Sequence, residues 1–342
     1  MVSIIVRSLF AVLEPSEVVT NARIHVKDNS ISTITTDDSE LQDIPVEAVL
    51  GGRDSIVSLP FSNILIDIPG SLTKYSRKDV LVENTMSNRD YYLVAALAFS
   101  TLLSSGVGLA IITTPRVEPV CRAALEAGLR SIVLLSSKGY DDPEDALREL
   151  EKLEERLVKK KFLRLGLEIK DGAQTNNMVK EAVQRGLVLL DNSKKIILAD
   201  GREYSLYTPL KQSLLYSTSS GNKGPVILDA RDWITIDPRS FSYILLSNGM
   251  SIDSVLNIHF SPRNLLDLSL RLDRGSEADL LVVSSRKPPV RVLISEEGAL
   301  AALATDAFVE TLIINGEILV DGGEVISGIE EAANKAIHSL FL

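Results

Sequence analysis

Short β-branched and aliphatic runs open the chain at residues 3–13, 21–26 and 30–35, the last two separated by Asp28-Asn29. Runs of this length bounded by turn residues predict an all-β segment, with Gly51-Gly52 and Pro60 marking its end. From residue 63 to about 272 the period changes. Apolar runs at 63–68, 107–114, 131–137 and 162–169 have the composition of buried parallel strands. Helical spacing fills the intervals at 90–105, 117–128 and 143–161, with Asp141-Asp142 ahead of Pro143 as an N-cap and first turn. The last of these helices is charged along 149–161 and predicts a solvated outer helix. Strand–helix alternation implies a parallel sheet with right-handed crossovers.

Beyond Asp191 the pattern predicts a hairpin, 195–199 paired with 203–207 through a type I′ turn at Asp200-Gly201. A short strand at 226–228 and helices at 239–247 and from 252 follow. The end of the chain returns to strands at 280–283, 311–315 and 318–320, with a tight turn at Asn315-Gly316, and closes on an amphipathic helix from Ile329 to Phe341. Six or seven strands are recognisable in the middle, too few for a regular barrel of eight βα units. The expected fold is therefore α/β: a trimmed or irregular TIM-like barrel over 59–275, a small β-sandwich joining 1–58 to 276–328, and a C-terminal helix over 329–342.

Residues 91–114 carry no charge and are long enough to span a bilayer. Ser104-Ser105-Gly106 interrupts them, and β-branched residues follow, so a buried helix running into a buried strand is expected. The first thirteen residues hold Arg7 within the apolar run and lack a small-residue cleavage site, which reads as a strand. The expected location is cytoplasmic, with no membrane partner.

The 342 residues are 45% apolar and 24% charged, an ordinary globular composition. A net charge of −10 argues against a nucleic-acid partner. The single cysteine, Cys121, excludes an intramolecular disulfide and every thiolate cluster within one chain; its mid-helix place predicts an inert core thiol. Scarce glutamine and a helix dense in Glu and Lys hint at a thermophile. Walker A, dinucleotide and Gly-x-Ser-x-Gly patterns are absent, and Gly106-x-Gly108 lacks a third glycine. Each of the three histidines, His25, His259 and His338, is placed away from a barrel-strand end and is expected to be structural.

The segment from Gly275 through Ala278-Asp279-Leu280 to Val283 resembles the glycine-x-x-alanine-aspartate-leucine entry into the last β segment of the amidohydrolase superfamily, in its cytosine deaminase and chlorohydrolase branch. Residues 309–322, with Asn315-Gly316, resemble that family's closing hairpin. Ser104-Ser105-Gly106, the stretch 123–130 and the opening 21–35 fit it as well. The resemblance implies a TIM-like barrel with a composite β unit. It also implies one or two divalent metals, zinc or iron, at the C-terminal mouth, activating water for hydrolysis of non-peptide C–N bonds.

In that family the first barrel strand ends in histidine-x-histidine. Here the matching stretch is Leu59-Pro60-Phe61-Ser62-Asn63-Ile64-Leu65-Ile66-Asp67, so Leu65 and Asp67 take the two histidine positions. Leucine cannot bind a metal, and no bound cofactor is predicted. The resemblance places Glu168 and Lys170 where a later histidine is common, and makes Asp229 the counterpart of the last-strand aspartate. Lys138, Asp191 and Asp232 are further strand-end candidates, although any single acidic residue is by default a solvated loop residue. The sequence thus predicts a catalytically inactive binding or scaffolding protein. Its expected partner is a small molecule, a second copy or an active homologue. The alternatives are an active hydrolase with a site rebuilt from Asp67, Lys170 and Asp229, and an interaction module whose barrel mouth is filled. In the first reading Asp67 and Asp229 face each other across the barrel without a cation and repel, so Asp229→Asn is expected to be neutral or mildly stabilising.

Overall fold

The computed structural model describes residues 3–62, 64–70, 86–136, 143–157, 161–169, 181–182, 184–191, 195–207, 226–231, 237–284, 295–305 and 307–341. The opening β pattern forms β1 (Ser3–Glu14), β2 (Glu17–Thr20), β3 (Arg23–Lys27), β4 (Ser30–Thr35) and β5 (Ala48–Ser58). β5 is the element that the glycine pair concealed. Gly51 takes a φ of +70°, and a Cβ there would lie 2.3 Å from the Arg7 carbonyl oxygen. The glycines therefore permit an irregularity within the strand, where the parallel β1–β5 register shifts between Ser8 and Phe10, instead of ending it.

The middle of the chain supplies β6 (Ile64–Asp67), β7 (Leu109–Thr114), β8 (Arg130–Ser136), β9 (Leu163–Glu168), β10 (Val188–Leu190), β11 (Lys195–Ile197), β12 (Glu203–Tyr207) and β13 (Val226–Asp229), which close into an eight-stranded barrel. Parallel pairing runs from β6 through β10 and from β12 through β13 back to β6. β11 alone runs the other way, antiparallel to both neighbours. The irregularity expected of the barrel is thus one reversed strand, and the count is eight rather than six or seven. β10 was missed because three apolar residues are too short a signal to separate from a helix end.

The β11–β12 hairpin is present, but its turn is not type I′. Leu198 N–H donates to the Arg202 carbonyl at 3.0 Å, enclosing a three-residue loop. Within that loop only Gly201 has a positive φ. This geometry is a type I turn completed by a glycine bulge, whereas type I′ needs two positive φ values.

Alternation along the barrel strands separates two apolar layers. Leu65, Ile111, Ile132, Leu134, Val188, Ile196, Leu206 and Ile227 fill the interior, and Leu265 and Leu266 from the 3₁₀ segment Ser261–Leu266 join them, with Leu268 just beyond it. The outward residues, among them Ile66, Ile112, Val133 and Leu167, belong to the larger core shared with the helices and the sheet. The helices are α1 (Asn88–Ser104), α2 (Val117–Ala127), α3 (Pro143–Leu157), α4 (Arg239–Ser247), α5 (Ile252–Phe260), α6 (Glu296–Ala304) and α7 (Ile329–Ala336). α1 starts from a capping box in which Ser87 and Asp90 satisfy each other's backbone N–H groups. The uncharged stretch 91–114 is indeed α1 followed by β7, and among the described residues no helix is long and apolar enough to cross a membrane. Of the predicted helix 143–161, Pro143–Leu157 is helical and Lys161 and Phe162 stand in a turn ahead of β9; residues 158–160 and Asp141-Asp142 lie outside the described residues.

The chain then returns to the opening sheet through β14 (Leu280–Ser284), β15 (Phe308–Ile314), β16 (Glu317–Asp321) and β17 (Glu324–Val325). Asn315 and Gly316 both have positive φ, as a tight two-residue turn requires. β14 pairs antiparallel with β5, so strands from both chain ends form one continuous nine-stranded sheet. Gly108 just ahead of β7 and Gly128 ahead of β8 lie against Ile314 and Leu319. These glycines precede the strands, so the sheet meets the barrel at the end opposite the strands' C-terminal mouth.

Candidate active site at the barrel mouth

Inward alternation that places Leu65 in the apolar interior places Asp67 two residues later on the same face, at the end of β6. β9 ends in Glu168 and β13 in Asp229 by the same rule. Thr113, paired in register with Asp67, donates its hydroxyl to Asp67 Oδ1 at 3.0 Å. Ser136 is paired with Glu168. Polar side chains therefore cap an interior that is otherwise aliphatic.

The group that organises them is Arg231, two residues past Asp229. Its Nε and Nη2 donate to the two oxygens of Asp229 at 2.9 and 2.8 Å. Nη1 reaches Glu168 at 2.8 Å. The side chains of Glu168 and Asp229 are only 6% and 9% exposed, while that of Arg231 is 23% exposed. Burial alone would make the guanidinium easier to deprotonate. The bonds and charge of Asp229, with the charges of Glu168 and Asp67, outweigh that and hold its pKa above the usual arginine value.

This arrangement corrects two expectations. Glu168 and Asp229 are buried and ion-paired, not solvated loop residues. Asp67 and Asp229 sit on the adjacent strands β6 and β13 rather than across the barrel, and a guanidinium offsets the repulsion expected between them. Arg231 was the residue that sequence reasoning missed. A signal existed: Asp-x-Arg recurs at Asp200/Arg202, Asp229/Arg231 and Asp237/Arg239. In all three the aspartate takes both the backbone N–H and the guanidinium of the arginine two residues on.

Of the other candidates, Lys138, Lys170 and Asp232 lie outside the described residues. Asp191 braces the β10–β11 connection, accepting from Lys195 N–H at 2.9 Å and donating its own N–H to the Lys195 carbonyl. His25 is buried in β3 between the hydroxyls of Ser3 and Ser32, at 3.0 and 2.7 Å, and burial followed by Lys27 lowers its pKa. His338 is exposed in the wider helical turn Ile337–Phe341 that continues α7. His259 on α5 is fully buried with Nε2 2.5 Å from Ser242 Oγ, and its ring lies 4.9 Å from that of Phe61. Burial depresses its pKa to about 3. The Asp237 charge acts on this Ser242–His259 pair, but both residues have no exposed surface, so substrate cannot reach it. It is a structural joint, tied to the barrel where Ser62 donates to the His259 carbonyl. Cys121 is buried in α2, and burial pushes its thiol pKa far up.

The end of the barrel opposite the mouth is closed by a second ionic cluster. Arg164 and Arg202 both bind Asp267, at 2.5 and 2.9 Å, and the carbonyls of Leu265 and Asn264.

No protein-family profile matches the chain, and no curated protein matches it. Solved structures do. An adenosine deaminase from Xanthomonas campestris with bound zinc superposes with a TM-score of 0.78, covering 98% of each chain at 11% identity. A triazine hydrolase variant gives 0.74 over 99% of each chain, also at 11% identity. The guanine deaminase of E. coli gives 0.67 at 14% identity, over 94% of this chain and all of the other. These are amidohydrolase-superfamily structures, and the chain has their fold.

Proposed function

We propose that the chain is a non-hydrolytic protein on an amidohydrolase fold, with a binding or scaffolding role. The observation that carries this reading is the placement of Leu65 and of all three histidines. Leu65 packs inside the barrel on the first strand, and His25, His259 and His338 lie in the sheet, on α5 and beyond α7. A zinc or iron centre of the kind this fold carries needs nitrogen or oxygen donors converging on one point. The described residues do not fit one. Of the mouth carboxylates, Glu168 and Asp229 bond to Arg231 and Asp67 to Thr113, while the three histidines lie on other elements. Among the described residues no group of three or more His, Cys, Asp or Glu could hold a metal ion.

Fold does not fix chemistry, and hydrolysis on this fold depends on the site rather than the barrel. The experiment is metal loading. Purified protein exposed to zinc and then dialysed is expected to retain far less than one equivalent by elemental analysis. Stoichiometric zinc or iron would overturn the reading and restore a hydrolase. A pulldown from the native host separates binding to an active homologue or a second copy from small-molecule binding alone.

A further inference from the structure

We propose that the cleft between the first turn of α1 and the end of α7 is a binding site for a small organic phosphate monoester, with Arg89 as its anchoring cation. The cleft shares no residue with the barrel mouth, so the proposal stands or falls apart from the reading above.

The cleft has a volume of about 530 Å³ and is lined by Arg89 from α1 and by Glu331, Asn334, Lys335, His338 and Ser339 from α7 and the wider turn that continues it. That size falls within the roughly 300–1,000 Å³ of small-molecule sites. Two permanent cations and an imidazole stand there against one carboxylate, in a chain whose net charge is −10. The carboxylate is already taken, since Lys335 Nζ reaches Glu331 at 2.5 Å. Ser339 Oγ donates to the Lys335 carbonyl at 2.8 Å. The side chains of Arg89, Asn334 and His338, by contrast, have no hydrogen bond or ion pair among the described residues. Arg89 also opposes its own helix. It stands in the first turn of the 17-residue α1, at the positive pole, where an anion is favoured and a cation is not. The neighbouring Asp90 carboxylate is turned to Ser87, taking its N–H and hydroxyl at 2.8 and 2.7 Å. A bound anion would meet an unpaired guanidinium and the positive end of α1 together.

Donors on two sides of one opening distinguish the anion. A carboxylate presents two oxygens in one plane, and the fork of one guanidinium satisfies it. A phosphate monoester has three oxygens in a pyramid, which can take the guanidinium from α1 and the Asn334 and His338 N–H groups from α7. The organic part has room beside it. A second cavity of about 500 Å³ opens between α1 and α2, also lined by Arg89, with Tyr92 and Pro119 in its wall. The other charged groups of that wall bind partners of their own: Arg122 donates to Glu118 at 2.7 Å, and Glu126 accepts from the Tyr92 hydroxyl at 2.6 Å.

The test is titration calorimetry and thermal melting of the full-length protein with phenyl phosphate, inorganic phosphate and benzoate, in about 0.15 M salt to screen diffuse attraction. Phenyl phosphate is expected to bind saturably at one site per chain and to raise the melting temperature. Inorganic phosphate should bind more weakly, and benzoate about tenfold or more weaker than phenyl phosphate. Arg89→Ala should weaken phenyl phosphate binding by about tenfold or more, as the loss of a charge-assisted bond implies, and His338→Ala should weaken it less. Arg148→Ala, which removes a positive charge from α3, should leave the affinity unchanged. Because the Arg89 guanidinium makes no bond, Arg89→Ala without ligand should melt at or above wild type. Absence of saturable binding, equal affinity for benzoate, or equal losses in the Arg89 and Arg148 variants would overturn the proposal. A lower melting temperature of unliganded Arg89→Ala, or its failure to fold, would show Arg89 to be structural and would overturn it as well. Metal loading reads the barrel mouth and this titration the outer helices, so either can fail without the other.

Discussion

Asp279, just ahead of β14, accepts both arms of Arg130 from the start of β8, at 2.9 and 2.8 Å across 149 residues of sequence. Arg263 adds a third bond at 3.0 Å and the Asn315 N–H a fourth at 2.8 Å. All three ionic side chains are within 1% of complete burial. Burial would raise the carboxyl pKa, but the Arg263 and Arg130 guanidiniums outweigh it and hold Asp279 below the usual carboxylate range. The aspartate of the Gly-x-x-Ala-Asp-Leu segment thus fastens barrel, 3₁₀ segment and sheet at one point.

Asp279→Asn should leave two buried guanidiniums sharing a neutral acceptor. Breaking a buried pair in this way costs about 3–5 kcal/mol, and urea denaturation at neutral pH reads it. A loss comparable to that of an exposed pair such as Arg148–Asp145 would show that water reaches the triad.

At the mouth, Asp229→Asn removes a bidentate charge-assisted bond to Arg231. We expect it to destabilise by about 1.5–3 kcal/mol, the reverse of the neutral effect that uncompensated repulsion predicts. Chemical denaturation near pH 7 is the measurement, and a stabilised variant would contradict the ion-pair geometry.

His259 makes stability pH-dependent with a definite sign. Its folded pKa of about 3 lies below the unfolded value, so its contribution is complete above about pH 6.5 and is lost as the pH falls. The loss should approach about 1.4 kcal/mol per pH unit below that point. His259→Gln retains a donor and acceptor for Ser242 but does not titrate. The difference in stability between wild type and variant should therefore carry this slope between pH 6.5 and 5, and a flat difference would exclude it.

Gly166 on β9 has no room for a side chain, since a Cβ would stand 2.2 Å from the Val188 carbonyl oxygen and 2.5 Å from Leu134. Gly166→Ala must separate β9 from β10, and overpacking of this sort costs about 1–3 kcal/mol. A melting temperature equal to wild type would mean that the short β10 yields freely.

Legibility from sequence followed the length and regularity of each signal. β7, β8 and β9 are six or seven residues long, with runs of Ile, Val and Leu in β7 and β8 and alternating leucines in β9, and their pattern placed them within a residue or two. The terminal hairpin was readable because Asn315-Gly316 admits few other backbones. β5 was not, because its glycines serve a distant contact, the Arg7 carbonyl, which no local pattern reports. At the site, Asp67 and Asp229 were found as strand ends. Arg231 was not: the Asp-x-Arg spacing could have paired it with Asp229, but its link to Glu168, 63 residues away, exists only once the barrel closes.

The β5–β14 pairing also bears on how the chain is made. Ser55 to Ser58 await Leu281 to Ser284, and all of the barrel is encoded between them. At synthesis rates of about 5–20 residues per second, a ribosome takes on the order of ten to forty seconds to deliver the second strand after the first. Throughout that interval the nascent β1–β5 half-sheet ends in an open edge bearing Ile56 and Val57, which are buried in the finished protein. Unpaired apolar edges adhere to other chains. Crowding of nascent copies, or delay in translating the barrel, should therefore limit the yield of this protein more than its final stability does.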